Sequence, residues 1–125
     1  MVGDKIVAIG NATIRERIQK EIETVTLIHP DAVIGDGCII NTAASVDHDC
    51  FVDDYSHIAV GAHLCGIVHI IRNTWIGAGV TVSNNIIVCN NCMVGTGAVV
   101  ISNIDVPGTY VGVPARRTNG GKMNE

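Results

Sequence analysis

Residues 28–111, taken in sixes from Ile28, read IHPDAV IGDGCI INTAAS VDHDCF VDDYSH IAVGAH LCGIVH IIRNTW IGAGVT VSNNII VCNNCM VGTGAV VISNID VPGTYV. Every block opens on Ile, Val or Leu, fourteen times without an insertion. These residue types make up 37 of the 125 residues. Chance would therefore give the column at roughly 0.3 to the fourteenth power, about one in a million or rarer with six phases allowed. The fifth letter forms a second column, from Ala32, Cys38 and Ala44 to Ala98 and Ile104, mostly small or β-branched, with only the last, Tyr110, large. Sandwich strands alternate with period two and break at irregular turns, so they do not produce an unbroken period of six. The pattern predicts an all-β hexapeptide solenoid.

Each hexad supplies a short strand and a corner. The small residue and the next aliphatic point inward, and the residue between them points outward. Three hexads close a triangular coil, which predicts stacking of residues 18 apart and roughly 4.7 coils, a prism a little over ~20 Å tall. Gly35/Gly37, Gly77/Gly79 and Gly95/Gly97 fall at corners, where unusual φ values are expected. Their G-x-G spacing is not a dinucleotide fingerprint, because the third glycine is replaced by an inward aliphatic.

The flanks are of another kind. Residues 1–27 read as a remnant strand (Lys5–Ile9), a Gly10-Asn11 turn and a helix carrying Ile14, Ile18 and Ile22. His29-Pro30 marks the start of the coil. Residues 112–125 read as a C-terminal loop and a mobile polar tail. Asn11-Ala12-Thr13 matches a glycosylation sequon and is taken as a turn.

Composition agrees with a buried aliphatic core. Hydrophobic residues are 47% and charged residues 16%, against disorder, and the only aromatics are Phe51, Tyr55, Trp75 and Tyr110. A net charge of −4 with no long basic run argues against nucleic-acid binding. No apolar stretch approaches the length of a membrane span, and no signal segment is evident. Five cysteines without scaffold spacing point to a reduced, cytoplasmic setting.

The outward residues sort onto three faces: Val33, Phe51, His69, Ile87, Asp105; Ile39, His57, Trp75, Met93, Val111; and Ser45, His63, Thr81, Val99. Two of these expose a large apolar area in a monomer, which predicts a homo-oligomer, most simply a homotrimer. His48 stands apart from the other histidines: it lies at a corner between Asp47 and Asp49. A neighbouring carboxylate can fix its tautomer and raise its basicity, as a general base needs; a solvated surface histidine is the alternative. His57, His63 and His69 fall on different faces and cannot share one metal within a chain. His48 and His57 could meet only across a subunit boundary. Cys89-x-x-Cys92 pairs a corner thiol with an inward one, and the two are expected to diverge.

The hexads resemble the left-handed parallel β-helix of hexapeptide acyltransferases. The block Asn41-Thr-Ala-Ala-Ser-Val-Asp-His-Asp-Cys50, with Ser56-His57-Ile58, Gly61-Ala62-His63-Leu64 and Gly66, is similar to sugar O- and N-acyltransferases of the sialic-acid and bacillosamine pathways. Tyr110-Val-Gly-Val-Pro-Ala-Arg116 is similar to their closing motif. The resemblance implies left-handedness, acetyl-CoA as co-substrate, no metal, and a sugar or nucleotide sugar as acceptor. It implies His48 as general base with Asp49 supporting it, His57 beside the acetyl group, and Gly66, Ala78 and Thr96 along the CoA channel. Arg116 would meet CoA phosphates, or else belong to a solvated basic tail. The resemblance implies that, of the Rossmann-like domain that usually holds the nucleotide sugar, only the last strand and helix are represented, with Asn11 as its acceptor contact; Ile71 also departs from the usual corner residue. The competing readings are a trimeric zinc enzyme like a carbonic anhydrase and a non-catalytic assembly solenoid.

Overall fold

The computed structural model describes residues 26–118. The expected strand and helix before residue 26, Asn11 with them, and the tail after Thr118 lie outside the described residues.

As far as Val100, each hexad forms one two-residue strand and one four-residue corner, and parallel strands stack into three sheets. Sheet I holds Leu27–Ile28, Ser45–Val46, His63–Leu64, Thr81–Val82 and Val99–Val100. Sheet II holds Val33–Ile34, Phe51–Val52, His69–Ile70 and Ile87–Val88. Sheet III holds Ile39–Ile40, His57–Ile58, Trp75–Ile76, Met93–Val94, Thr109–Val111 and Arg116–Arg117. Register is set residue by residue: Trp75 faces His57 and Met93, and Ile76 faces Ile58 and Val94. The expected faces form as far as Val99, with Leu27 added to the third.

The aliphatic column fills the prism. Ile58, Leu64, Ile70, Ile76, Val46 and Val52 are fully buried, each contributing about 1.5–3 kcal/mol. Corners are bonded between coils as well as strands: Gly61 N–H donates to Thr42 O at 2.9 Å, and Gly79 N–H to Val60 O at 2.9 Å. Along the corner between sheets II and III the inward small residues carry polar hydrogens. Cys38 Sγ, Ser56 Oγ and Thr74 Oγ1 donate to the carbonyls of Asp53, Ile71 and Cys89 at 2.9, 3.3 and 2.8 Å. These bonds satisfy buried groups that would otherwise be costly.

A left-handed backbone recurs every six residues at positions 37, 43, 49, 55, 61, 67, 73, 79, 85, 91 and 97. The expectation for the glycine pairs therefore holds for the second of each pair only. Gly79 has φ 66°, whereas at Gly77 the constraint is space, since a Cβ would lie 2.6 Å from Val94 O.

The hexad register stops after Val100. Val106 is exposed and Ile104 takes the inward place, bridging Val88. Tyr110 pairs with Val94, two residues earlier than the repeat requires, so Asp105 and Val111 do not extend the outward columns. Asn103 causes the shift: its Oδ1 accepts the Ile87 N–H at 2.8 Å in place of a strand carbonyl, and Ile104 O then accepts Cys89 N–H at 2.9 Å. The chain returns as Arg116–Arg117, antiparallel to Tyr110–Val111.

Candidate active site

The corner between sheets I and II gathers His29, Asp31, Asp47, His48 and Asp49. His48 follows the inward Val46, so its ring leaves the prism at an edge and is half exposed. Its Nδ1 lies 3.2 Å from Asp49 Oδ2. An ionised carboxylate only accepts, so neutral His48 donates from Nδ1 and keeps a free lone pair on Nε2. Asp49 has φ 55°, a conformation Asp tolerates better than most residues, and this turn aims its carboxylate back at its neighbour. Asp47 Oδ1 accepts the His48 backbone N–H at 2.8 Å.

Two residues that the sequence reading did not select complete the cluster. Asp31 lies one coil below Asp49; its Oδ1 accepts the Asp49 backbone N–H at 2.9 Å and lies 2.9 Å from His29 Nδ1. The His29 and His48 rings meet edge-on at 6.1 Å. The signal was present: 31 and 49 differ by the 18-residue stacking distance. The Asp49 hydrogen bond, opposed by partial loss of solvent and aided by the charges of Asp47, Asp49 and Asp31, raises the His48 pKa above its ordinary value.

Gly66 lies one coil above His48. A Cβ on it would collide with the imidazole, 2.6 Å from Cε1, so only glycine leaves the ring in this position. The next residue, Ile67, holds φ 60° and donates its N–H to His48 O at 2.9 Å. A β-branched residue in this region is strained.

The other expected site residues lie elsewhere on the protomer. His57 projects from sheet III, its ring 4.0 Å from that of Trp75 and its Nε2 3.4 Å from Asn41 Nδ2; burial lowers its pKa. Ala78 and Thr96 follow Ile76 and Val94 into the corner between sheets III and I. Arg116 is exposed on the returning strand. The fold thus brings together His48, Asp49 and Gly66, and puts His57, Ala78 and Thr96 on and beside another sheet. His63 bonds Ser45 at 2.7 Å and His69 bonds Asp53 at 3.1 Å, so the three outward histidines belong to three sheets. Among the described residues no group of three His, Cys, Asp or Glu is placed to hold a metal ion. No helix there is long and apolar enough to cross a membrane.

The two thiols of Cys89-x-x-Cys92 do not diverge: their Sγ atoms lie 3.3 Å apart. Cys89 packs against the core instead of leaning outward, which brings it over the inward Cys92.

No protein-family profile matches the chain. GDP-perosamine N-acetyltransferase of Escherichia coli O157:H7 is 32% identical, covering 64% of this chain and 49% of its own length. The acetyltransferase domain of PglB from Neisseria gonorrhoeae FA1090, solved in complex with acetyl coenzyme A, superposes with a TM-score of 0.67 at 29% identity, covering 91% of this chain and 70% of that one. The serine acetyltransferase of Neisseria gonorrhoeae gives 0.71 at 28% identity, over 74% of this chain and 40% of that one. This chain is a relative of the hexapeptide-repeat acetyltransferases. Its coil is their left-handed parallel β-helix. The chain spans about half the length of the curated relative it matches.

Proposed function

We propose that the chain carries the transfer site of an acetyl-CoA-dependent acetyltransferase acting on an amino or hydroxyl group of a sugar or nucleotide sugar. One observation carries this reading: an exposed imidazole tied at Nδ1 to a carboxylate, with its Nε2 edge cleared by a glycine. His48 Nε2 takes the proton of the acceptor as that atom attacks the thioester carbonyl. The C–S bond then breaks and the proton passes to the departing CoA thiolate. Asp49 holds the tautomer and stabilises the imidazolium. The Gly66 N–H is the candidate donor to the oxyanion.

His57, Ala78 and Thr96 stand on another part of the prism, so a complete site requires a second copy. Exposed Phe51 and Ile87 on sheet II, and Ile39, Trp75 and Met93 on sheet III, are the apolar surface available for it. A homotrimer is the simplest closed arrangement of a three-sided prism. In it, His57, Gly66, Ala78 and Thr96 line the CoA site, Arg116 meets its phosphates, and Asn11 contacts the acceptor. The nucleotide-sugar acceptor is supported by the perosamine relative. A reducing cytoplasm is the compartment this reading implies.

His48→Ala should lower turnover at least ~10²-fold, with the thermal midpoint and acetyl-CoA binding retained. Unchanged turnover with a panel of amino and hydroxy sugar nucleotides would overturn the assignment.

A further inference from the structure

The last corner between sheets II and III holds a second chemical group, remote in the fold from the His48 corner. Cys89 and Cys92 approach to 3.3 Å through a turn whose third residue, Asn91, has φ 56°. The turn is fixed from inside the prism. Buried Thr74 donates its hydroxyl hydrogen to Cys89 O at 2.8 Å, and its Oγ1 accepts the Cys92 N–H at 3.3 Å. One hydroxyl therefore grips both ends of the turn, so the two sulfurs are held together by the fold instead of meeting by chance. Cys92 is 3% exposed, whereas Cys89 is half-buried.

We propose that Cys89 and Cys92 form a dithiol–disulfide couple, a redox site oxidised by hydroperoxides. Burial and the neighbouring Cys89 sulfur push the Cys92 thiol up to about 12, so it remains protonated near neutrality. Cys89 is then the attacking group. Its thiolate attacks one peroxide oxygen, the O–O bond breaks, and the departing hydroxide takes up a proton and leaves as water. Cys92 Sγ next attacks Cys89 Sγ; the S–O bond breaks and the hydroxyl leaves as a second water with the Cys92 proton. Two thiols are oxidised and one peroxide is reduced. Sulfurs already in contact need only a small side-chain movement, because the turn that carries them is already closed.

The test uses the full chain, hydrogen peroxide as the probe, and alkylation followed by peptide mapping. Oxidation should remove two of the five thiols from alkylation and leave one peptide, containing both Cys89 and Cys92, lighter by two hydrogens and restored by dithiothreitol. Loss of the hydroxyl's two hydrogen bonds should make ring closure in Thr74→Val at least about fivefold slower, leaving sulfenic acid on Cys89 open to trapping; Thr74→Ser should keep the parental rate. The proposal fails if Cys89 runs on to sulfinic acid while Cys92 still alkylates, if either cysteine pairs elsewhere, or if folded Thr74→Val closes at the parental rate. Should Thr74→Val not fold, the mapping of the parental chain decides alone. None of these readouts depends on acetyl transfer.

Discussion

At the scale of single residues, three backbone facts set the surroundings of His48: Asp49 in a left-handed turn, Asp31 under its amide, and Gly66 above the ring. The proton on His48 is held by the Asp49 hydrogen bond and by surrounding negative charge. As the proposed base it would work only after that proton leaves, so the acid limb of kcat/KM should lie above pH 6.5, the ordinary histidine value. Asp49→Asn removes the carboxylate's charge. The limb should then move to lower pH, while kcat drops by roughly 10²-fold as the imidazolium loses the carboxylate that stabilises it. A pH–rate profile measures both, and a limb that moves upward would contradict the arrangement. Gly66→Ala should displace the ring and lower kcat comparably with little change in fold, as circular dichroism and turnover together would show. Half of this site was legible. His48 and Asp49 show themselves as a histidine between acids, but Asp31 is visible only once residues 18 apart are known to stack. The Cys89–Cys92 contact was misjudged because strand alternation gives the direction of Cys92 and says nothing of how a corner side chain folds back over it.

At the scale of the element, the unit is the corner rather than the strand. Two-residue strands have little independent stability, and the left-handed position every six residues turns the chain. Gly, Asn and Asp occupy many of these positions, as φ > 0 favours. Ala43, Tyr55 and Ile67 are the exceptions; of these only Ile67 is β-branched, and it adjoins the His48 corner. It is about half exposed, so little packing is lost on replacement. Ile67→Asn should stabilise the protein by about 1 kcal/mol, read as a higher denaturant midpoint with an unchanged slope. The columns through Val100 were readable because side-chain direction alone sets the period. The shortened coil was not, because it depends on one Asn103 side chain replacing a backbone acceptor, and periodicity carries no information about such an exchange.

At the scale of the whole molecule, the C-terminal segment closes one end of all three sheets. Ile104 bridges Val88 on sheet II, Gly112 O accepts Val99 N–H at 3.1 Å and Ala115 N–H donates to Val99 O at 2.8 Å on sheet I, and Thr109–Val111 lies on Met93–Val94 of sheet III. A chain stopped after Ile101 would leave these backbone rows unpaired. Such a chain should associate in a concentration-dependent way, seen as rising light scattering, where the full chain keeps one discrete size. Stacked parallel rungs are otherwise an open-ended geometry, the one by which strands grow into fibres. Here growth at this end is halted by a coil two residues too short to seat another and by a final rung, Arg116–Arg117, laid in the opposite direction.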